Sequence, residues 1–118
     1  MIKVVDIFID GFPTVKKKCR GDKSKPQKWA GQIFEATKKY VGCVGGACKM
    51  SVLFMFDQSQ YPRDLPFGPD LDNYLKSFQD VLNKTVFNKV AGGDSSVVEL
   101  IARKRKAKRI GARLRIWQ

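Results

Sequence analysis

Along the chain, apolar positions fall into six blocks, and their spacing changes from block to block. Residues 2–9, "IKVVDIFI", are rich in β-branched and aromatic types and predict a strand, which "DGFPT" then breaks. Trp29, Ile33, Thr37 and Tyr40 recur at helical spacing. Pro26 suits the first turn of that helix, with Ser24 or Lys25 near its cap, and Gly42 suits its end. Residues 48–56, "CKMSVLFMF", form a nearly unbroken apolar run, which predicts a central strand covered on both faces. Residues 57–69 hold three prolines and predict a loop.

A second helix is marked by Leu71, Leu75, Phe78 and Leu82, flanked by Tyr74 and Val81, a stripe that must face a core. After the turn-rich "NKVAGGDSS", residues 96–104 and 110–117 predict two strands, expected to pair as a hairpin. In the last of them Ile110, Ala112, Leu114 and Ile116 alternate with Arg113, Arg115 and Trp117. The element order is β-α-β-α-β-β. It places the chain in the α+β (mixed α/β) class: one small sheet of about four strands, with two helices covering its apolar face. The 118 residues contain no internal repeat and no linker, so residues 1–118 are expected to form a single domain. A chain of this length buries roughly two thirds of its unfolded surface, enough for a core without staples.

Charge changes the picture. Lys and Arg number 23 against 11 Asp and Glu, a net charge of +12. The excess is concentrated in two blocks. The first is Lys16, Lys17, Lys18, Arg20, Lys23, Lys25 and Lys28; the second is Arg103, Lys104, Arg105, Lys106, Lys108, Arg109, Arg113 and Arg115, with no acid among them. Solvated faces normally mix signs. Such blocks therefore point to an acidic partner, nucleic acid being the commonest. Phosphate contacts give position without reading sequence. Phe12, Phe67 and Trp117 could stack on bases, although core packing is the better expectation for each.

Other classes drop out. No apolar run reaches the roughly 18 residues needed to span a bilayer, and no basic amphipathic helix stands out. The opening "MIKVVDIFID" is a strand with acids in it and not a signal peptide, so the expected location is the cytoplasm. Cys19, Cys43 and Cys48 are an odd set that suits reduced thiols. With no histidine and no C-x-x-C pair, they do not make a zinc site.

Candidate chemistry sits in "FGPDLDNYLKSFQDVLNK", residues 67–84. Residues two apart on a helix point about 200° from each other, so Asp70 and Asp72 cannot meet if both are helical. Pro69 favours an extended Gly68 and leaves Asp70 near the N-cap, free to swing towards Asp72. Two uses then stand side by side. The acids can cap the helix and complement its dipole, with Lys76 as an i,i+4 partner of Asp72. Alternatively they hold a hard divalent ion, because carboxylates without histidine or thiolate partners select Mg²⁺ or Mn²⁺. A metal site wants a third acid, and Asp94 in "AGGDSSV", after two glycines, is the candidate.

"GPDLDNYLKSFQDVLN" followed by "GDSSV" resembles the RusA family of Holliday junction resolvases. Asp70, Asp72, Asn73 and Lys76 match the family's D-x-D-N opening of a helix with its lysine four residues after the second aspartate. Asp94 and Val97 match its later acid-x-x-valine motif, and "IDGFPTVKKK" is similar to its strand, proline turn and basic segment. One position departs: the later motif usually carries two adjacent acids, and Gly93 stands where the first would be. The resemblance implies a RusA-like fold and a homodimeric, metal-dependent crossover junction endonuclease. Such an enzyme cuts four-way DNA junctions by paired symmetric nicks in recombination and repair. It implies Asp70, Asp72 and Asp94 as Mg²⁺ ligands (Mn²⁺ possible) and Lys76 as an essential neighbour of the scissile phosphate. DNA contacts are expected from Lys16, Lys17, Lys18, Arg20, Lys23, Arg103, Arg105, Lys106, Lys108 and Arg109. No small-molecule substrate is expected. The competing readings are a basic nucleic-acid-binding protein without catalysis, and a junction binder that no longer cuts, which Gly93 keeps open.

Overall fold

A computed structural model describes residues 1–15, 24–57 and 70–118. The element order agrees with the sequence: β1 (Lys3–Asp10), α1 (Ser24–Thr37), β2 (Cys48–Phe56), α2 (Leu71–Leu82), β3 (Val97–Lys106) and β4 (Gly111–Trp117). Two short 3₁₀ turns, Lys38–Tyr40 and Gly93–Ser96, add to these. The fold is α+β, with two helices on a four-stranded mixed sheet.

The strands lie in the order β1-β4-β2-β3. β4 runs antiparallel to both of its neighbours, and β3 runs parallel to β2. The last two strands are therefore not a hairpin, contrary to the expectation from their closeness in sequence. Each strand's composition explains its place. β4 alternates Ala112, Leu114 and Ile116, all buried, and suits the interior of the sheet. β3 ends in Arg103-Lys104-Arg105-Lys106 and suits an edge, where charge is tolerated. A β3–β4 hairpin would also set these bases against Arg113 and Arg115, and opposed like charges destabilise a strand pair.

Both helices cover one face of the sheet. Cys48, Met50, Val52, Phe54 and Phe56 of β2 are buried on that face, in register with Ile116, Leu114 and Ala112 of β4. The alternate residues of β2 are only half-buried, so this strand is central but covered on one face, not on both. Trp29 and Ile33 of α1 and Tyr74, Phe78 and Leu82 of α2 close the core. Phe78 meets Phe54 edge-on at 5.6 Å and Trp29 at 6.3 Å. Among the buried groups, the Thr37 and Thr85 hydroxyls lie 2.9 Å apart, and Thr37 is also 2.8 Å from the Ile33 carbonyl, so the α1 end is tied to the segment after α2. Cys48 is buried and Cys43 half-buried; both are free thiols whose pKa burial pushes up. Cys19 lies outside the described residues.

Candidate functional site

The first turn of α2 carries the paired acids. Asp70 is the N-cap residue, with extended backbone (φ −62°, ψ 148°). Its carbonyl accepts the N–H groups of Asn73 at 3.1 Å and Tyr74 at 3.3 Å, which starts the helix. Its carboxylate makes no capping hydrogen bond. Asp70, Asp72 and Lys76 are all exposed, and Asp72 forms no ion pair with Lys76. Capping and i,i+4 pairing therefore do not occupy these side chains. The apolar face of the turn is fixed by Tyr74, whose ring lies 5.7 Å from Phe54 and 5.2 Å from Phe56. Those contacts hold the acids over the end of β2 where that strand finishes.

Asp94 is placed by different elements. It lies in the 3₁₀ turn that leads into β3, and its backbone N–H donates to Asn83 Oδ1 at 2.9 Å. Asn83 caps the C-terminus of α2. Gly93 has φ +57°, a left-handed conformation, and a Cβ built there would lie 2.8 Å from Asn83 Oδ1. The departure from the two-acid pattern thus has a local reason: the backbone that presents Asp94 favours glycine at 93.

The two parts are far apart within the chain. Asp72 and Asn83 are separated by eleven positions of a nearly continuous helix, about 16 Å at 1.5 Å per residue. The sheet says the same. Asp94 adjoins the start of β3, which pairs with the start of β2, whereas Asp70 and Asp72 sit near Phe56 at the far end of β2. Among the described residues, no three His, Cys, Asp or Glu side chains stand close enough to hold a metal ion. The donor chemistry at 70 and 72 suits a hard cation, but the chain brings a pair of carboxylates together there and not a trio.

The basic residues sort onto different surfaces. Lys16, Lys17, Lys18, Arg20 and Lys23 lie outside the described residues. Arg103-Lys104-Arg105-Lys106 is one block in sequence and two faces in space, because strand side chains alternate. Lys104 and Lys106 are in register with Phe54 and Phe56, on the helix side beside the start of α2. Arg103 and Arg105 are in register with Leu53 and Met55, on the open face. Lys104, absent from the DNA contacts expected above, is thus placed near the acids by strand register, a relation invisible along the chain.

The open face also holds Arg113 and Arg115, and there the positive charge is partly offset. Asp6 of β1 takes Lys3 Nζ at 2.8 Å, Arg113 Nη2 at 2.9 Å and Arg115 Nε at 3.6 Å. The Lys3 ammonium first, and then the Arg113 guanidinium, hold the Asp6 carboxyl down at about 2. Arg109 is engaged too: it pairs with both oxygens of Asp10 at 3.2 Å and stacks over the Phe8 ring at 3.6 Å. Lys49 lies 5.3 Å from the half-exposed Trp117 ring. Phe12, expected in the core, is 55% exposed, and Phe67 lies outside the described residues.

An α+β fold with a basic edge strand and paired acids at one helix start defines a class of compact, anion-directed proteins. The family model of endodeoxyribonuclease RusA matches residues 12–117, nearly the whole chain, and the protein belongs to the RusA family. At the level of that family it is an endodeoxyribonuclease that acts on branched DNA and resolves Holliday junctions in recombination. No curated protein matches the chain. Among the described residues, no helix is long and apolar enough to cross a membrane.

Proposed function

We propose that the protein is a Mg²⁺-dependent, homodimeric junction-resolving endonuclease. It makes paired symmetric nicks in four-way DNA in the cytoplasm, in recombination and repair. The observation that carries this reading is the start of α2 in a RusA-family chain: two exposed carboxylates, two residues apart, with no capping bond and no partner in Lys76. A helix N-terminus normally stabilises acids by its free N–H groups. Here the carboxylate oxygens stay available on a chain of charge +12, where no anionic partner needs them.

Asp70 and Asp72 are the proposed ligands from α2; Asp94 lies at the far end of that helix in the same chain, so it is the proposed third ligand only from the second copy of the proposed homodimer. A bound Mg²⁺ would supply an activated water and stabilise the leaving oxygen of the phosphodiester. Lys76, one turn beyond Asp72, is the proposed partner of the phosphate charge that develops during cleavage. Lys104 and Lys106 on the helix side of β3 draw the backbone towards the same end of the sheet. Two-fold symmetry suits the substrate, since a junction presents two equivalent strands to a dimer with two sites.

Cleavage of a labelled four-way junction with Mg²⁺ tests the reading. Wild type is expected to nick two opposed strands and to spare plain duplex. Asp72→Asn is expected to bind the junction and to lose at least about a hundredfold in rate, the scale on which removing one transition-state-stabilising group acts. Equal cutting by both would remove Asp72 from the site. Binding without cutting by wild type, under Mg²⁺ or Mn²⁺, would leave a junction binder.

A further inference from the structure

From the geometry we infer that Asn83 is a positioning residue for Asp94: its side-chain oxygen holds the Asp94 peptide and thereby sets the place and direction of that carboxylate for a hard divalent cation. The inference rests on the proposed nuclease reading and adds a residue that acts through one of the proposed ligands.

Asp94 follows two glycines, Gly92 at φ +81° and Gly93 at φ +57°. Neither offers a side chain to anchor the turn in the core. The backbone bonds inside the turn are local: the Gly93 N–H donates to the Val90 carbonyl and the Ser95 N–H to the Gly92 carbonyl, each at 3.1 Å. They shape the turn without tying it to the helix beside it. The Asp94 N–H, by contrast, donates to Asn83 Oδ1 at 2.9 Å, across eleven positions of the chain. A backbone N–H needs an acceptor, and of the carboxamide's two ends only the oxygen is one, so the bond also fixes which way Asn83 is turned. With its peptide held, the half-buried Asp94 keeps only its own side-chain rotations.

Asn83 is suited to the holding. It is the C-cap of α2, and its own N–H donates to the Gln79 carbonyl at 2.9 Å. Leu82 before it and Thr85, Val86 and Phe87 after it are buried, so the carboxamide is carried by a fixed part of the core. Gly93 makes room for it. A Cβ at 93 would lie 2.8 Å from Asn83 Oδ1 and 3.3 Å from its Cγ, too close for both to stay in place. The two residues act as a pair: one supplies the acceptor and the other lets it approach. Capping does not explain the bond. A helix C-terminus leaves carbonyls that want donors, whereas here an acceptor oxygen is spent on a residue eleven positions on. One helix thus carries Asp70 and Asp72 at its start and the holder of Asp94 at its end. Groups that orient a metal ligand without touching the metal typically carry about ten- to a hundredfold of its affinity.

Two substitutions test the role. Asn83→Ala removes the acceptor, and Asn83→Asp keeps an oxygen in its place. Hydrogen exchange at the Asp94 amide, read by NMR on the protein without DNA, is expected to be slow in wild type, about fivefold or more faster in Asn83→Ala, and slow again in Asn83→Asp. A Mg²⁺ titration without DNA, followed at the same resonance, is expected to need about tenfold more Mg²⁺ in Asn83→Ala than in wild type. Nicking of a four-way junction is expected to show the same displaced Mg²⁺ midpoint, with the rate recovering as Mg²⁺ is raised and with junction affinity in the absence of metal unchanged. A role confined to stability would lower the melting temperature of Asn83→Ala and leave its Mg²⁺ midpoint at the wild-type value, and that result would overturn the inference. So would an Asp94 amide that exchanges equally fast in wild type and Asn83→Ala. Wild type with a protected Asp94 amide and an Mg²⁺-dependent shift that Asn83→Ala weakens, yet with no cutting of any junction, would refute the nuclease reading and leave the positioning role standing.

Discussion

At the scale of single residues, the informative positions are those where an obvious local role is absent. Asp70 stands at a helix N-cap and does not cap. Asp72 has a lysine four residues on and does not pair with it. Gly93 shows the opposite case, a residue whose type follows from its backbone. Its φ of +57° and the nearby Asn83 Oδ1 leave little room for a side chain. Gly93→Asp, which restores the family's usual pair of acids, is therefore expected to destabilise the protein by about 1–2 kcal/mol through left-handed backbone strain, with further loss if the Asn83–Asp94 contact is displaced. Urea unfolding of the two proteins measures it; equal midpoints would show that the turn accommodates the second acid. The sequence made Asp70, Asp72 and Lys76 visible as candidates because their spacing at a helix start is a local pattern. It could not show that they make no local bonds, since that depends on rotamers and on where neighbouring side chains go.

At the scale of elements, the apolar periods located both helices and all four strands, with strand and helix ends shifting by about two residues or less at most boundaries. Pairing was not legible. Residues 97–106 and 111–117 are neighbours in sequence and are kept apart by β2. The reason is electrostatic as well as apolar: β4 takes the interior place beside β1, where Asp6 meets Arg113 and Arg115. This cross-strand cluster carries a pH dependence. The Asp6 carboxyl is lowered from 3.8 to about 2, by Lys3 first and Arg113 second. A group depressed in the folded state contributes stability that is complete above its unfolded pKa and is lost as pH falls through the folded one. The wild-type melting temperature is accordingly expected to exceed that of Asp6→Asn at pH 5, and the gap to close between pH 4 and pH 2. A gap that stays constant over that range would show that the carboxylate charge does not tie β1 to β4.

At the scale of the whole molecule, a charge of +12 is distributed unevenly among bases that are and are not already engaged. Arg109, Arg113 and Arg115 have carboxylate partners, whereas Arg103 and Arg105 have none among the described residues. Phosphates compete poorly for a guanidinium already held. Affinity for DNA is expected to fall with salt at a log–log slope of about −0.9 per phosphate contact. Arg103→Ala/Arg105→Ala is expected to flatten that slope by up to about two contacts, and Arg113→Ala by much less, as read by fluorescence anisotropy over a salt series. Equal flattening would mean that Asp6 releases its arginines to the DNA.

The elements, their order, the α+β class, the excess of positive charge and the family were all readable along the chain, because each follows from local periodicity, from composition or from short motifs. Which strands adjoin, which face stays open and how far the acids lie from one another emerged from packing in three dimensions. Those are relations between segments distant in the chain, set by which apolar surfaces pack together and which charges an edge can tolerate. The separation of Asp94 from Asp70 and Asp72 belongs to that second kind: three residues of one motif set, held at opposite ends of α2 by the length of the helix between them.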